Sequence, residues 1–152
     1  MARIGLVVAA HCLVAQEMVK AAELILGHLE GVRAVSMNPD MPVEVMVREV
    51  TEAVKDVDVG QGVIVLTDLF GGTPSNVALA LVGPRVEVLS GFNLPMLIKF
   101  ADVRSTRSLK EAAETLRDYG RRHIALASEI LSSRPEPKGR GADHERFPAH
   151  SD

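Results

Sequence analysis

Residues 62–74 read Gly62-Val63-Ile64-Val65-Leu66-Thr67-Asp68-Leu69-Phe70-Gly71-Gly72-Thr73-Pro74, and this stretch decides the fold. Its first part is short, apolar and rich in β-branched residues, as expected for a strand covered on both faces. Thr73 is a predicted helix N-cap, and Pro74 suits the first helical position, where a missing N–H costs nothing. The stretch therefore predicts the carboxyl end of a parallel strand followed at once by the amino end of a helix.

The loop between this strand and helix carries a carboxylate, Asp68, and two glycines, Gly71 and Gly72. Glycines let a backbone approach a ligand closely, and the unpaired N–H groups at a helix start favour an anion such as phosphate. The alternative is a tight turn in which Asp68 is only a local cap. A turn explains the glycines but not a carboxylate at the tip of a strand, which favours a phosphate site built from Gly71, Gly72 and Thr73.

A second strand near the amino terminus ends in a titratable side chain, His11. A helix over about Val14 to Leu26, closed by Gly27, is predicted after it. A lone histidine in this position is more often structural, but ligands of open parallel sheets collect at the strand carboxyl ends. If the two strands are neighbours, Asp68 accepts the proton of one ring nitrogen of His11 and leaves the other nitrogen nucleophilic.

The alternation of strands and helices predicts an α/β fold with an open, mainly parallel, doubly wound sheet and helices on both faces. A helix between the second and third strands should bury Val43, Val47, Val50 and Val54. A long helix is predicted from Ser108, capped by Ser108 and Glu111, with apolar positions that continue to Leu131. The predicted strands span about Arg3–Ala9, Val32–Ser36, Gly62–Thr67 and Arg85–Leu89.

The composition changes near residue 132, where proline, glycine and charged residues replace apolar ones. We therefore expect one domain over residues 1–133 and a flexible tail over residues 134–152, since such a tail buries too little apolar surface to offset its ordering entropy. The tail histidines His144 and His150 lack the spacing of metal ligands.

The composition of the 152 residues excludes several classes of function. The net charge is −3 and aromatic residues make up 3% of the chain, so no nucleic-acid surface is expected. A single cysteine excludes an intramolecular disulfide, and the opening apolar run is too short to cross a bilayer, so a cytoplasmic location is expected. There is no Walker loop, dinucleotide fingerprint or zinc-type Cys/His spacing, so neither a cofactor nor a metal is predicted.

Four motifs occur here in an order that resembles a known family, the IIA component of the mannose (mannose/fructose/sorbose) class of the bacterial phosphoenolpyruvate-dependent sugar phosphotransferase system. The resemblance is close from about Ile4 to Ile98 and looser over the following helix. Several ordered motifs are far more specific than any one of them. They are the strand ending in His11, the helix segment 18–27, the loop 67–76, and the stretch Ser90-Gly91-Phe92-Asn93-Leu94-Pro95-Met96-Leu97.

The resemblance implies a phosphotransferase component that carries a phosphohistidine. His11 would accept the phosphoryl group from the phosphocarrier protein HPr, Asp68 would orient His11, and a separate IIB component would receive the group. The chain would form a homodimer and reach the membrane only through permease partners. The family commonly exchanges a terminal strand between subunits, although residues 124–131 of this chain are predicted to be helical. The candidate apolar contacts for the partners form a rim around His11 and are Leu69, Phe70, Phe92 and Met96. The alternative is that they are core residues, except for Phe70, which lies in the loop itself.

This chain departs from the family at two positions beside the histidine, where the family usually has Ser-His-Gly and this sequence has Ala10-His11-Cys12. The first change removes a hydroxyl that could bond at the site, and the second adds bulk and a thiol. We interpret Cys12 as a small, half-buried filler, with a redox-sensitive thiol as the alternative.

Two other functions are compatible with the resemblance. One is a regulatory phosphoprotein of an incomplete phosphotransferase system, in which phosphorylation of His11 changes binding to another protein and no sugar is moved. The other is a phosphoryl donor subunit for dihydroxyacetone kinase, which uses the same fold. Neighbouring permease or kinase genes would distinguish these functions.

Overall fold

The computed structural model describes residues 3–133, in which four parallel strands form one sheet. The strand order is β2-β1-β3-β4, so the order reverses between β1 and β3. This topology confirms the predicted α/β fold with a doubly wound parallel sheet. The strands are β1 Gly5–His11, β2 Val32–Met37, β3 Val63–Thr67 and β4 Val86–Ser90.

Six helices follow the strands or connect them within residues 3–133, and they cover both faces of the sheet. The helix after β1 ends at Leu26 as predicted, with Gly27 as its C-cap at φ 83°. The fifth helix has the predicted capping box of Ser108 and Glu111. The helices are α1 Val14–Leu26, α2 Val43–Val57, α3 Thr73–Leu79, α4 Leu94–Val103, α5 Leu109–Arg122 and α6 Ala127–Ser132.

The core consists of two apolar layers, one on each face of the sheet. Alternate residues of the central strands enter opposite layers because successive side chains of a strand point to opposite faces. Leu6, Val8 and Ala10 of β1 pack under α1, α4 and α5, whereas Val7 and Ala9 pack under α2 and α3. Burial on both faces holds β1 and β3 rigidly, which fixes the positions of the loops at their carboxyl ends.

The register of the central strands brings their two loops together. Ala9 of β1 pairs with Thr67 of β3, so the residues that follow these two positions leave the sheet side by side. Their loops lie at the carboxyl edge of the sheet, at the reversal of strand order, where ligands of open α/β sheets bind.

The predicted long helix from Ser108 to Leu131 is wrong in its second half. α5 ends at Arg122, and α6 is a separate short helix with no buried residue. The physical reason is that α5 packs over β3 and β4, and β4 is the edge of the sheet, so the chain beyond it has no surface to cover. Four apolar residues of this segment are consequently exposed: Ile124, Leu126, Ile130 and Leu131.

The buried face of α2 also differs from the prediction. Val50 is buried, but Val43 and Val47 are exposed. The helix instead turns Met46, Ala53 and Val57 toward the sheet, because these residues and Val50 recur at helical spacing and lie on one face of the helix. Among residues 3–133, no helix combines the length and the hydropathy needed to cross a membrane.

Candidate active site

His11 is the last residue of β1, and Asp68 is the first residue after β3. The structure brings the two side chains into contact, with 2.8 Å between His11 Nδ1 and Asp68 Oδ2. The same carboxylate oxygen accepts a hydrogen bond from the His11 backbone N–H at 3.0 Å. The other oxygen, Oδ1, accepts one from the Leu69 backbone N–H at 3.0 Å. Asp68 therefore binds both the ring and the backbone of His11.

These contacts determine which ring nitrogen of His11 is free. Partial burial of Asp68 disfavours its charged form and would raise its pKa. Hydrogen bonds from the His11 backbone, the His11 ring and the Leu69 backbone favour the charged form more strongly, so the pKa of the carboxyl lies below its ordinary value. An ionised carboxylate only accepts hydrogen bonds, so the proton between the two side chains belongs to His11 Nδ1. The lone pair of the neutral ring then lies on Nε2, which has no hydrogen-bond partner among the described residues.

The glycine loop lies against the other side of the His11 ring. A Cβ atom on Gly72 would stand 3.1 Å from His11 Cε1, closer than carbon atoms normally approach. Gly71 differs from Gly72 in two respects. Nothing lies within 4 Å of its Cβ position, and its φ is 85°, in the left-handed region. Gly72 therefore provides space for the ring, and Gly71 provides the turn.

Thr73 has a different position from the one predicted. The N-cap of α3 is Gly72, and Thr73 is the first helical residue, with no side-chain capping hydrogen bond at this end. The predicted cap is therefore wrong, because the turn ends one residue earlier than the threonine. Thr73 instead lines a cleft of about 120 Å³ beside His11, together with Met37, Asn38, Pro39 and Met46.

The size and exposure of this cleft limit what it can bind. Pockets for drug-sized ligands typically measure about 300–1,000 Å³, so the cleft is smaller than these and suits a group of the size of a phosphoryl group. The His11 side chain is 39% exposed, so a large partner can reach the ring from solvent. In the described part of the chain, no group of three or more His, Cys, Asp or Glu side chains is placed to hold a metal ion.

The four predicted partner-contact residues fall into different environments. Phe70 is 75% exposed and Leu69 is 50% exposed, and both lie in the loop beside His11. Phe92 is partly buried and packs against the core. Met96 is only 4% exposed, so its prediction as a contact residue is wrong. It is the third residue of α4, on the face that packs into the core beneath α5.

Sequence reasoning missed other exposed apolar residues near the site. Leu13 follows the histidine turn, and Val14 begins α1; both are exposed. Val43 and Val47 line a groove between α2 and α3 that also includes Thr73. The missed signal for Leu13 and Val14 was their position, because they directly follow the turn after the candidate histidine.

The two residues that flank His11, at which the chain departs from the expected sequence pattern, lie in different environments. Ala10 is fully buried and packs under α1, on the opposite face of the sheet from the glycine loop, so a hydroxyl at this position would not face the cleft. Cys12 is exposed, so the prediction of a half-buried filler is wrong. Its φ is 51°, and it is the only described residue other than glycine with a positive φ. This left-handed conformation is uncommon for residues other than glycine, which adopts it freely.

Comparisons with known proteins give a consistent result. The family model EIIA-man, described as PTS system fructose IIA component, matches residues 5–117. The PTS system mannose-specific EIIAB component of Escherichia coli strain K12 is 32% identical over 98 residues, which are 63% of this chain and 30% of that protein. The chain thus matches about a third of the length of that relative.

Two further relatives match over most of their own length. The PTS system fructose-specific EIIA component of Bacillus subtilis strain 168 is 26% identical over 114 residues, which are 74% of this chain and 78% of that protein. The crystal structure of phosphotransferase system component EIIA from Streptococcus agalactiae has a TM-score of 0.76 and 28% identity, covering 83% of this chain and 98% of that one. By its sequence and by its fold, the chain belongs to the mannose-class IIA family of the bacterial sugar phosphotransferase system.

Proposed function

We propose that this protein is a phosphocarrier in which His11 Nε2 accepts a phosphoryl group from a phosphohistidine of HPr and passes it to a IIB component. The observation that carries the proposal is the 2.8 Å contact between His11 Nδ1 and Asp68, which places the ring proton away from the cleft and leaves Nε2 as the nucleophile. The family membership supports a phosphotransfer role in sugar uptake.

In the transfer, the Nε2 lone pair of His11 forms the new P–N bond while the P–N bond of the donor breaks. The donor ring, protonated on its other nitrogen, keeps the bonding electrons and leaves as a neutral imidazole. His11 acquires positive charge in this step, and the ionised Asp68 stabilises it through the Nδ1 proton. Such a transition state is loose and in line, so positioning and electrostatics supply most of the catalysis.

The glycine loop is the proposed holder of the phosphate oxygens. Gly72 borders the His11 ring, Thr73 lines the cleft, and Gly71 provides the turn that places them. The first N–H groups of a helix have no carbonyl partner within the helix. The Thr73 backbone N–H and hydroxyl are the donors best placed in the sequence of the loop to meet a group on Nε2. This loop would compensate the negative charge that arrives with the phosphoryl group.

The proposed docking surface surrounds the cleft. Phe70 and Leu69 stand on one side of His11, and Leu13 and Val14 follow it in the chain. Exposed apolar side chains grouped in one patch are typical of a protein interaction site. The same surface would receive HPr and the IIB component in turn, in the cytoplasm, and the IIB component would connect the chain to a membrane permease.

We also propose that the chain acts as a homodimer. Ile124, Leu126, Ile130 and Leu131 expose apolar side chains over one short segment. Exposed apolar residues clustered in this way are typical of an association surface. Sedimentation of the wild type and of a variant with Ile124→Ser and Leu131→Ser tests this, and a monomer in both proteins would contradict it.

The experiment that tests the main proposal is phosphoryl transfer from labelled phosphoenolpyruvate through enzyme I and HPr. His11→Ala should abolish labelling. The matched control is His28→Ala, because His28 also pairs with a carboxylate, at 2.9 Å from Glu23, but stands 79% exposed in the loop after α1 and not at the end of a strand. Equal labelling of His11→Ala and the wild type would refute the proposal, and so would loss of labelling in His28→Ala alone.

A further inference from the structure

The turn that follows His11 is held in a conformation that its own residue type disfavours. Cys12 has a φ of 51°, where the Cβ atom of an L-residue crowds the backbone. Such a conformation persists only when surrounding groups determine it, and it is commonest at functional sites. The contacts that hold Cys12 therefore bear on the position of His11, its neighbour in the chain.

Two side chains from other elements converge on this turn. Ser36 of β2 donates its hydroxyl to the Cys12 carbonyl at 2.6 Å. Gln16 of α1 donates its amide Nε2 to the Ser36 hydroxyl at 2.5 Å. The Cys12 backbone N–H in turn donates to the Met37 carbonyl at 3.1 Å. The turn is thus fixed at both its N–H and its C=O by groups outside the segment.

The hydrogen bond that Gln16 donates to Ser36 leaves the other end of its amide group without a partner. Its amide oxygen, Oε1, is buried and has no hydrogen-bond partner among the described residues. Leaving a buried acceptor unpaired is destabilising, and such groups in native proteins are often linked to function. The amide is held in this orientation because Ser36 has already donated its own hydrogen to Cys12.

We propose that Ser36 and Gln16 are positioning residues for His11, which act through the carbonyl of Cys12. The proposal rests on the proposed function, since it concerns the same phosphoryl acceptor. His11 has little freedom, because Asp68 binds its Nδ1 at 2.8 Å and Gly72 faces its Cε1. If the Cys12 turn relaxes, the end of β1 moves with it, and the ring loses its alignment with both Asp68 and the cleft.

The test compares Ser36→Ala with Thr115→Ala. Thr115 is a matched control because its hydroxyl also donates to a backbone carbonyl, that of Glu111, at 2.7 Å on an exposed face of α5 away from the site. Phosphorylation of each variant by phospho-HPr is measured over a range of donor concentrations. We expect Ser36→Ala to lower the transfer rate at saturating donor about tenfold, with the donor KM within about twofold of the wild type. Thr115→Ala should transfer at the wild-type rate.

Two further variants separate positioning from general damage. Ser36→Thr keeps the hydroxyl and should restore most of the rate. Cys12→Gly removes the strain, because glycine adopts a positive φ freely, so Ser36→Ala in the Cys12→Gly background should cost less than about threefold. An equal loss in both backgrounds would show that Ser36 does not act through the strained turn and would overturn the proposal.

A spectroscopic readout distinguishes failure of this proposal from failure of the proposed function. The ¹⁵N signals of the His11 ring in the free protein report which nitrogen carries the proton, with no donor present. We expect one tautomer, protonated at Nδ1, in the wild type and Thr115→Ala, and a mixture of tautomers in Ser36→Ala. If the wild type accepts no phosphoryl group, the proposed function fails, and these spectra alone decide the positioning role. Unchanged His11 signals in Ser36→Ala would overturn it.

Discussion

Gly71 and Gly72 are adjacent in the sequence, yet replacing each with alanine should damage different properties of the protein. Gly72 has φ −80° and ψ 169°, a backbone conformation that any residue adopts, but its Cβ position is 3.1 Å from His11 Cε1. Gly71 has φ 85° and nothing within 4 Å of its Cβ position. Gly72→Ala should therefore impair phosphoryl transfer and leave stability intact, whereas Gly71→Ala should do the reverse.

The size of each effect follows from this geometry. Carbon atoms pack best at about 3.5–4.0 Å, so the alanine methyl at position 72 pushes the His11 ring by roughly half an ångström. Since a misplacement of about 1 Å costs on the order of a hundredfold in rate, the transfer rate should fall about tenfold. At position 71 the left-handed conformation costs alanine about 1–2 kcal/mol, partly offset by about 0.5 kcal/mol from the less flexible unfolded chain. The expected net loss of about 1 kcal/mol lowers Tm by about 3 °C.

The two variants are compared with the wild type in the same two assays, thermal unfolding and phosphorylation by phospho-HPr at saturating donor. Gly72→Val extends the series, because its two additional methyl groups leave no position for the ring, and the rate should fall at least about a hundredfold. The reasoning is refuted if Gly72→Ala transfers at the wild-type rate, or if Gly71→Ala loses as much transfer as Gly72→Ala at a temperature where both are folded.

Asp68→Asn should keep the fold but slow transfer by about two to four orders of magnitude, as for orienting carboxylates in catalytic triads, and a rate within a few fold of wild type would reduce Asp68 to a structural cap. Folding lowers the pKa of Asp68 from its ordinary value of 3.8. The contribution of Asp68 to the free energy of unfolding is therefore complete above pH 3.8 and is lost as the pH falls through the folded-state pKa. The urea midpoint of Asp68→Asn should accordingly vary less below about pH 4 than that of the wild type. Cys12→Gly should raise the free energy of unfolding by about 0.5–1 kcal/mol, the relieved strain less the extra entropy of glycine, and a lower urea midpoint would contradict this. Truncation after Ser133 removes residues 134–152, which lie outside the described residues. We propose from their composition that they are dispensable, so the rate of His11 phosphorylation, the Tm and the number of chains per particle in sedimentation should stay unchanged.

The sequence alone was enough to predict the α/β class, the four strands and the pairing of His11 with Asp68. These features depend on local patterns: apolar runs of strand length, helix caps and a titratable residue at the end of each central strand. The topology rules for parallel sheets then leave few arrangements, and nearly all of them bring the ends of adjacent strands together. Leu26 as the end of α1 and the capping box at Ser108 and Glu111 follow from equally local signals.

Other features depended on contacts between segments that are distant in the sequence. Met96 has the same apolar character as Phe70, and only the packing of α5 over α4 buries one and leaves the other exposed. Ile124 to Leu131 continue an apolar pattern, but the sheet ends at β4, so no surface remains for them to cover.

The strained turn at Cys12 is the clearest case in which the tertiary structure decided the outcome. Nothing in the cysteine side chain favours a positive φ. Ser36 and Met37 of β2 bind its backbone, and Gln16 of α1 binds the Ser36 hydroxyl. A sequence pattern shows which residues can form a strand or a helix, but a disfavoured backbone angle is stabilised only by neighbours that the completed fold brings to it.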